Sequence, residues 1–349
     1  MIYLVHRTNN RENTVFRYIK DIEYELKKEN IKCEVICTKS YFNNSNNLFL
    51  DLFFKNINYL YFLIFISWMS FIKFKSSDRI LITSDPPFFY VILHFILMFK
   101  KIEVIIWWQD LFPETFTTKK PIVKLLNYFR KNVIIKCKNI FISPDQKDYI
   151  SKMHNFNIDH IICSNWTLFS YNKGPSKRND IIKFGYLGNI SISHNIINLI
   201  NRLKELDKKF EFFISYKKRY SKFFEKINTD NRFIKINYLD DLEFEKLIDS
   251  LDICIVSEKR FQNNYLFPSK AITYIYKSKF ILYHGNLDSF LHKILKKYKK
   301  FFFLNSNDLI SSEVFDNILK KYNEDIDTVY IDEFDKMVSL KKIVKYIFH

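Results

Sequence analysis

Glycine is scarce in this sequence. Only four of its 349 residues are glycine, whereas average usage near 7% would give about 24. They are Gly174, Gly185, Gly188 and Gly285, and they form neither G-x-G-x-x-G nor G-x-x-x-x-G-K-[ST]. The sequence therefore excludes the usual dinucleotide fingerprint and the P-loop, because both depend on closely spaced glycines.

Cysteine is also sparse, and its spacing carries no motif. Five cysteines, an odd number, are scattered through the chain, and no C-x-x-C pair occurs. We therefore expect neither a disulfide framework nor a zinc site, but reduced thiols inside the protein.

The sequence lacks a long uninterrupted apolar run. Its most apolar stretch, residues 59–74, is shorter than the ~20 residues that cross a bilayer and contains Ser67, Ser70 and Lys73. It predicts a buried or interfacial helix instead of a transmembrane span. The first five residues predict a buried strand that leads into polar residues, so we expect no cleavable signal peptide.

Positive charge, in contrast, is in excess. Lysine and arginine total 55 against 38 for aspartate and glutamate, which gives a formal net charge of +17. A basic protein of this kind binds polyanions or an anionic membrane surface more readily than acidic partners. Nucleic acid is not the expected partner, because the sequence contains no C2H2 pattern, RNP motif or basic zipper.

Apolar strand-like segments alternate with helical ones along the chain. Strands are predicted at 2–5, 32–37, 79–83, 103–107 and 139–142, and again at 181–187, 210–214, 233–236, 252–256 and 280–283. Between the two sets, the polar residues 171–180 predict a linker. The alternation predicts an α/β protein of two Rossmann-like, doubly wound domains that face a cleft. We expect domains at 1–170 and 171–330, and a C-terminal helix in 331–349 that packs back on the first.

In doubly wound sheets, ligands bind beyond the carboxyl ends of the strands. The polar residues that follow each predicted strand are therefore the site candidates. After the first strand, these candidates are His6, Asn10, Arg11 and Asn13.

The segment WWQDLFPE, residues 107–114, leaves a buried strand and enters a loop. Its two carboxylates and one amide can bind sugar hydroxyls or supply a base. The same residues are also compatible with a strand-end turn that carries helix-capping acids.

Three segments of the second half suit an anion. FGYLGNIS, residues 184–191, ends a strand in a glycine turn, where Gly188 allows close approach of the backbone. Lys217, Lys218 and Arg219 follow another strand and suit a diphosphate, although a solvated charge run would look the same. FPSKAITY, residues 267–274, predicts a helix start at which N–H groups, a serine hydroxyl and a lysine converge.

Taken in order, DLFPE, SNW, GYLGNIS and PSKxxxY resemble the bacterial glycosyltransferases of family 4. Within that family they are most similar to the N-acetylfucosaminyl transferases of O-antigen and capsule assembly. The resemblance implies a GT-B fold, retention of anomeric configuration, and no required metal or cofactor. It also implies a nucleotide-sugar donor, with UDP favoured, on the second domain and a lipid-linked saccharide acceptor on the first.

The resemblance also implies roles for particular residues. Gln109, Asp110 and Glu114 would act at the reaction centre, and His6, Asn10, Arg11 and Asn13 would bind the acceptor. Donor-binding residues would be Gly188, Asn189, Lys217, Lys218, Arg219, Glu258, Pro268, Ser269, Lys270 and Thr273.

The sequence is compatible with two other function classes. The paired glutamates of the family fall near Tyr265 and Thr273, neither of which is acidic. A catalytically silent GT-B scaffold that binds a glycan or a partner enzyme is therefore an alternative. A sugar-nucleotide epimerase on the same double fold is another.

From Lys119 to Lys138 the sequence holds seven basic residues and no acidic one. Ile122, Leu125 and Phe129 fall on one face of the predicted helix, which indicates a basic amphipathic helix that lies on an anionic membrane. The alternative is that the apolar face packs on the sheet while the cations are merely solvated. We expect Lys120, Lys124, Arg130 and Lys131 to face lipid, in a cytoplasmic protein bound peripherally to the inner face of the membrane.

Overall fold

The computed structural model describes residues 1–9, 13–38, 48–86, 89–112, 120–155, 158–169, 181–187, 196–215, 230–236, 239–258, 267–305, 308, 310–326 and 331–348, without the side chains of 48–52, 55 and 120–122. The chain divides into two compact units. One comprises Met1–Asn165 with Glu333–His349, and the other comprises Trp166–Asp332.

Strands and helices alternate in the first unit. Its strands are β1 (Ile2–Thr8), β2 (Cys33–Thr38), β3 (Arg79–Thr83), β4 (Glu103–Trp108), β5 (Lys138–Phe141) and β6 (His160–Ile162). The helices between them are α1 (Thr14–Lys28), α2 (Leu48–Ile72), α3 (Phe89–Met98), α4 (Lys120–Lys136) and α5 (Pro144–His154).

The second unit repeats this alternation. Its strands are β7 (Lys183–Leu187), β8 (Glu211–Ser215), β9 (Phe233–Ile236), β10 (Ile253–Ser257), β11 (Phe280–Gly285) and β12 (Phe301–Asn305). Its described helices are α6 (Ile196–Lys204), α7 (Asp241–Ser250), α8 (Lys270–Tyr276), α9 (Phe290–Tyr298) and α10 (Ser312–Asn323). The last helix, α11 (Lys336–Phe348), belongs to the first unit.

Each unit is built on one sheet of six parallel strands. The orders are β2-β1-β3-β4-β5-β6 and β12-β11-β10-β7-β8-β9. The central strands are apolar on both sides, and the side chains of Leu81 and Ile105 are fully buried, as expected of a parallel sheet covered on both faces. The predicted fold class, an α/β protein with two doubly wound sheets, is confirmed.

A buried amide joins the strands of the first sheet near its edge. The Asn139 side chain accepts a hydrogen bond from Trp108 Nε1 at 3.0 Å. Its Nδ2 donates to the carbonyls of Ile134, Cys137 and Asp159 at 2.7–3.1 Å. Because every polar atom of this amide is paired, its burial costs little and fixes the path of the chain into β5.

Helix α11 returns to the first sheet and packs against α1. Its Tyr346 hydroxyl accepts from the Asn139 backbone N–H at 3.2 Å and donates to Asp159 Oδ1 at 3.0 Å. The Arg79 guanidinium donates to the carbonyls of Ile347 and Phe348 at its end. The C-terminal segment is thus part of the core of the first unit.

Several elements differ from the sequence-based expectations. Helix α2 begins at Leu48, well before the predicted start at residue 59. Helix α5 and strands β6 and β12 were not predicted. For α5 a signal existed, since Ser143 caps the helix by accepting from the Gln146 N–H and Pro144 occupies its first turn.

We expect Gly185→Ala to destabilise the second unit. A Cβ atom at Gly185, in β7, would lie 2.0 Å from Leu251 Cδ1, and such overpacking costs about 1–3 kcal/mol of unfolding free energy. Denaturant titration followed by circular dichroism measures the loss. The double variant Gly185→Ala with Leu251→Ala should lose less than the sum of the single variants; strict additivity would show that this contact is not the cause.

Candidate functional site

The carboxyl ends of the first sheet are tied together by one buried hydroxyl. Ser84, directly after β3, is fully buried. Its Oγ accepts from the backbone N–H groups of Gln109 at 3.0 Å and Asp110 at 3.1 Å. The chain that leaves β4 is therefore anchored to the end of β3, and this contact fixes the backbone positions of Gln109 and Asp110.

The Gln109 side chain is held by a reciprocal amide pair. Gln109 Nε2 donates to Asn165 Oδ1 at 3.2 Å, and Asn165 Nδ2 donates to Gln109 Oε1 at 2.9 Å. The Gln109 carbonyl also accepts from Gln146 Nε2 at 3.3 Å. Gln109 is buried, so in this structure it organises the edge of the sheet.

His6 lies at the carboxyl end of β1 and is 1% exposed. Its Nδ1 is 3.2 Å from Thr83 Oγ1, and among the described residues no atom meets its Nε2 with hydrogen-bond geometry. Burial lowers the pKa of His6 to about 4, although Asp85 and the nearby Asn13 side chain favour the charged form. The imidazole is therefore neutral at physiological pH and offers Nε2 as a donor or an acceptor.

Two carboxylates lie near this edge. The Asp110 side chain is accessible to solvent. Desolvation by the surrounding protein, followed by repulsion from the Asp85 carboxylate, nevertheless raises its pKa to about 6. Asp85 itself lies 3.6 Å from the Arg7 guanidinium. Asp110 can thus exchange a proton near neutral pH, which is a property expected of a group that handles a substrate hydroxyl.

At the second sheet, Lys270 begins α8 beside strand β7. Its Nζ lies 5.3 Å from the centre of the buried Tyr186 ring. The side chain is half-buried, and desolvation lowers its pKa to about 7. A cation that is costly to keep charged favours a bound anion, because the anion restores its partner charge.

Glu258 follows β10 and is buried at this same edge. Its Oε2 accepts from the Tyr283 hydroxyl at 2.7 Å, and Tyr283 lies within 2.7 Å of Ser289 Oγ. The neighbouring Ser257 Oγ is 3.0 Å from His284 Nδ1. Strand β11 thus supplies the residues that orient Glu258.

The turn before α8 differs from the expected anion-binding helix start. Ser269 has helical backbone angles, is exposed, and makes no side-chain capping hydrogen bond. The N–H groups of Ala271 and Ile272 already donate to the carbonyls of Pro268 and Ser269 at 3.0 and 3.2 Å. In this turn, Lys270 is the residue best placed to meet an anion; Thr273 is half-buried one turn further on.

Several candidates lie outside the described residues, and their positions stay predictions. They are Asn10, Arg11, Glu114, Gly188, Asn189, Lys217, Lys218 and Arg219. Of the acceptor candidates, the structure describes His6 and Asn13; Asn13 caps α1 by accepting from the Phe16 N–H at 3.0 Å.

Ser84 and Asp85 lie in a polar segment after a predicted strand, so they were site candidates without individual roles, whereas Thr83 was not a candidate. The available signal was the polar Ser-Asp-Pro-Pro segment directly after a strand. His284 was not predicted because it occupies the penultimate position of a strand that is otherwise buried and mostly apolar.

The basic helix α4 needs one correction. Arg130 was expected to face lipid, but it is fully buried and donates to the Phe112 carbonyl at 2.8 Å. The packed face also carries Val133 and Ile134, whereas Leu125 is 59% exposed. The packed face of the helix is therefore turned away from the expected apolar face and includes the inward-pointing Arg130.

In the part of the chain that the structure describes, no helix is both long enough and apolar enough to cross a membrane.

Solved structures with the same architecture cover nearly the whole chain. The lipopolysaccharide outer core galactosyltransferase WaaB, in its apo form, matches with a TM-score of 0.65 and 12% identity over 99% of both chains. HepE of Anabaena, solved in complex with UDP-glucose, matches with a TM-score of 0.62 and 10% identity over 99% of this chain and 95% of that one. WaaG, a glycosyltransferase of lipopolysaccharide biosynthesis, matches with a TM-score of 0.60 and 9% identity over 99% and 94%.

No protein-family model and no curated protein sequence matches this chain. At 8–12% identity the structural matches define the fold alone. That fold is GT-B, with two sheets of six parallel strands and flanking helices.

We expect Asp110→Asn to be more stable than the native chain at neutral pH and equally stable in acid. The folded carboxyl has a pKa of about 6, above its ordinary value. Its contribution to the free energy of unfolding is therefore fully present below about pH 4 and is lost as pH rises through about 6. Thermal unfolding across this range measures the difference. Asp148→Asn, on the exposed side of α5, is the matched control; a constant difference for Asp110→Asn would contradict the raised pKa.

Proposed function

We propose that this chain is a glycosyltransferase that moves a sugar from a nucleotide-sugar donor, UDP-linked, to a lipid-linked saccharide. We place it in the assembly of surface polysaccharide such as O-antigen or capsule, with a HexNAc or deoxy-amino sugar as the transferred group. The transfer retains anomeric configuration and needs no metal.

One observation carries this proposal. The whole chain has the same fold as HepE, which was solved with UDP and with UDP-glucose, and as WaaB and WaaG. Ligand sites of parallel sheets lie beyond the carboxyl ends of the strands. The polar residues described at both such edges are therefore the natural candidates for the two substrates.

The donor is assigned to the second unit and the acceptor to the first. Lys270, with its lowered pKa of about 7, suits the diphosphate of a nucleotide. Glu258, held by Tyr283, suits a ribose hydroxyl. Gly188, Asn189, Lys217, Lys218 and Arg219 would complete the donor site, with Pro268, Ser269 and Thr273 around it.

Little covalent chemistry is required of the protein. The bond between the sugar and the leaving diphosphate breaks as negative charge builds on the diphosphate, and fixed cations stabilise that charge. Removing one such preorganised group typically costs about 3–4 kcal/mol of transition-state stabilisation. Lys270 is the described cation best suited to this role.

On the acceptor side, Asp110 would accept a hydrogen bond from the attacking hydroxyl and take up its proton. Its pKa of about 6, raised by desolvation and by Asp85, makes it a stronger base than an ordinary aspartate. The neutral His6 would orient the hydroxyl, and Gln109, whose side-chain amide is paired with Asn165, would hold the chain that carries Asp110. Glu114, Asn10, Arg11 and Asn13 would lie around the saccharide.

The lipid-linked acceptor implies work at a membrane. The exposed cations of α4, among them Lys124 and Lys136, would contact anionic headgroups on the cytoplasmic face. We therefore propose a peripheral protein of the inner surface, bound through the segment from Lys119 to Lys136. Arg130 is buried, and Lys138 begins β5 and pairs with Glu103 at 2.8 Å, so neither takes part.

A thermal-shift panel with UDP, GDP and CMP tests the donor. At 100 times its dissociation constant, a ligand adds about 2.7 kcal/mol of stability, so we expect UDP to raise the melting temperature most. A shift with GDP alone would overturn the UDP assignment. No shift with any nucleotide would contradict the transferase and favour the silent scaffold that the missing paired glutamates suggest.

We expect Lys270→Met to lower kcat/KM with the UDP-sugar about 100-fold or more. UDP affinity should also weaken in the native chain as pH rises from about 6 to about 8, because the anion binds the protonated lysine, and the variant should lose this slope. Titration calorimetry at several pH values measures it, and Lys296→Met, on the exposed side of α9, is the control. An unchanged slope in Lys270→Met would remove this residue from the donor site.

A further inference from the structure

Helix α2 turns an apolar face to solvent. Six of its side chains are between 51% and 69% exposed, namely Phe53, Leu60, Ile64, Trp68, Phe71 and Ile72. At about 100° per residue they fall within an arc of about 120° on one side of the helix. Asn56 is the exposed polar residue among the described side chains of α2. The opposite side, with Phe62 and Ile66, is buried against the first unit.

The same surface continues onto the next helix. Helix α3 packs against both α2 and α4. Its exposed positions, Ile92, Phe95 and Met98, are all apolar, and Phe99, directly after it, is 85% exposed. We call this surface the α2–α3 face. Monomeric soluble proteins seldom expose a contiguous apolar patch of more than a few hundred Å², so we expect a partner to cover it.

Charge around the α2–α3 face is one-sided. Helices α2, α3 and α4 together contain one acidic residue, Asp51, against five basic ones besides the buried Arg130. On α4, beside the apolar face, Lys124, Lys131 and Lys136 are exposed among Leu125 and other apolar side chains. This combination complements an anionic bilayer, which offers hydrocarbon below negatively charged headgroups.

A second copy of the chain is the less suitable occupant. A two-fold interface brings the same patch of both copies together, so the lysines of α4 would meet a surface whose helices α2, α3 and α4 carry Asp51 as their one acidic residue. An anionic membrane, in contrast, satisfies both the apolar and the basic part of the surface. An exposed tryptophan in the centre of the apolar face also suits the interfacial region of a bilayer.

We propose that the α2–α3 face inserts into the boundary between headgroups and acyl chains of an anionic membrane, with Trp68 below the headgroups. Helix α4 then holds the headgroups with its lysines. This inference rests on the membrane part of the proposed function and is independent of sugar transfer. It makes α2, rather than the basic helix alone, the element that fixes the protein to the membrane.

The fluorescence of Trp68 can report how deeply the α2–α3 face inserts. Of the chain's four tryptophans, Trp107, Trp108 and Trp166 are at most 1% exposed, while Trp68 is 57% exposed. With the full chain and vesicles of phosphatidylcholine and phosphatidylglycerol, we expect a blue shift of the emission. Lipids brominated on the acyl chain should quench it. The Trp68→Phe variant should still bind the vesicles but lose both responses.

A second variant tests the surface as a whole. Ile64→Ser with Phe71→Ser should lower partitioning into these vesicles about tenfold or more, while melting temperature changes little because both side chains are exposed. Val338→Ser, an exposed apolar position on α11, is the matched control and should bind as the native chain does. The UDP response of all variants should be unchanged.

Two results would overturn the inference. If the chain binds vesicles without a change in Trp68 emission, and if salt abolishes that binding, attachment would be assigned to the lysines of α4 alone. A native chain that is dimeric in solution and ignores vesicles, with a monomeric Ile64→Ser/Phe71→Ser variant, would assign the α2–α3 face to a second copy. Insertion of Trp68 in a chain that does not respond to UDP would contradict the proposed transferase and leave this inference standing.

Discussion

The parallel direction of all strands within each sheet is the constraint on which the candidate site depends. Because every strand of a sheet ends at the same edge, segments distant in sequence arrive side by side there. In the first unit, Ser84 converts that proximity into fixed geometry, since one buried hydroxyl binds two N–H groups from the end of the neighbouring strand. Gln109 and Asn165, 56 residues apart, are joined by the same convergence.

The two edges differ in their chemistry. The first offers a neutral imidazole, paired amides and Asp110, whose pKa is raised to about 6, a set suited to hydroxyl groups. The second offers Lys270 over the Tyr186 ring, with its pKa lowered by desolvation to about 7, and the buried Glu258 after another strand of the same sheet, a set suited to a nucleotide diphosphate. In both cases desolvation moves the pKa of the group toward neutral pH, where the group can gain or lose a proton.

Much of the fold follows from local patterns in the sequence. Strands such as β3 and β4 are short apolar runs that end in polar residues, and they were predicted nearly to the residue. Strand β6 spans three residues and β12 lies at a sheet edge, so neither carries a strong pattern. The site was predictable only as positions after strands. The burial of Arg130 and the amide pair of Gln109 depend on tertiary contacts that no local pattern contains.

We propose that a nucleotide binds at the carboxyl edge of the second sheet. Hydrogen–deuterium exchange of the full chain with and without saturating UDP tests it most directly. We expect the strongest protection in peptides that contain β7, the end of β10 and the start of α8, around Leu187, Glu258 and Lys270. No protection, or protection confined to residues 1–165, would contradict it.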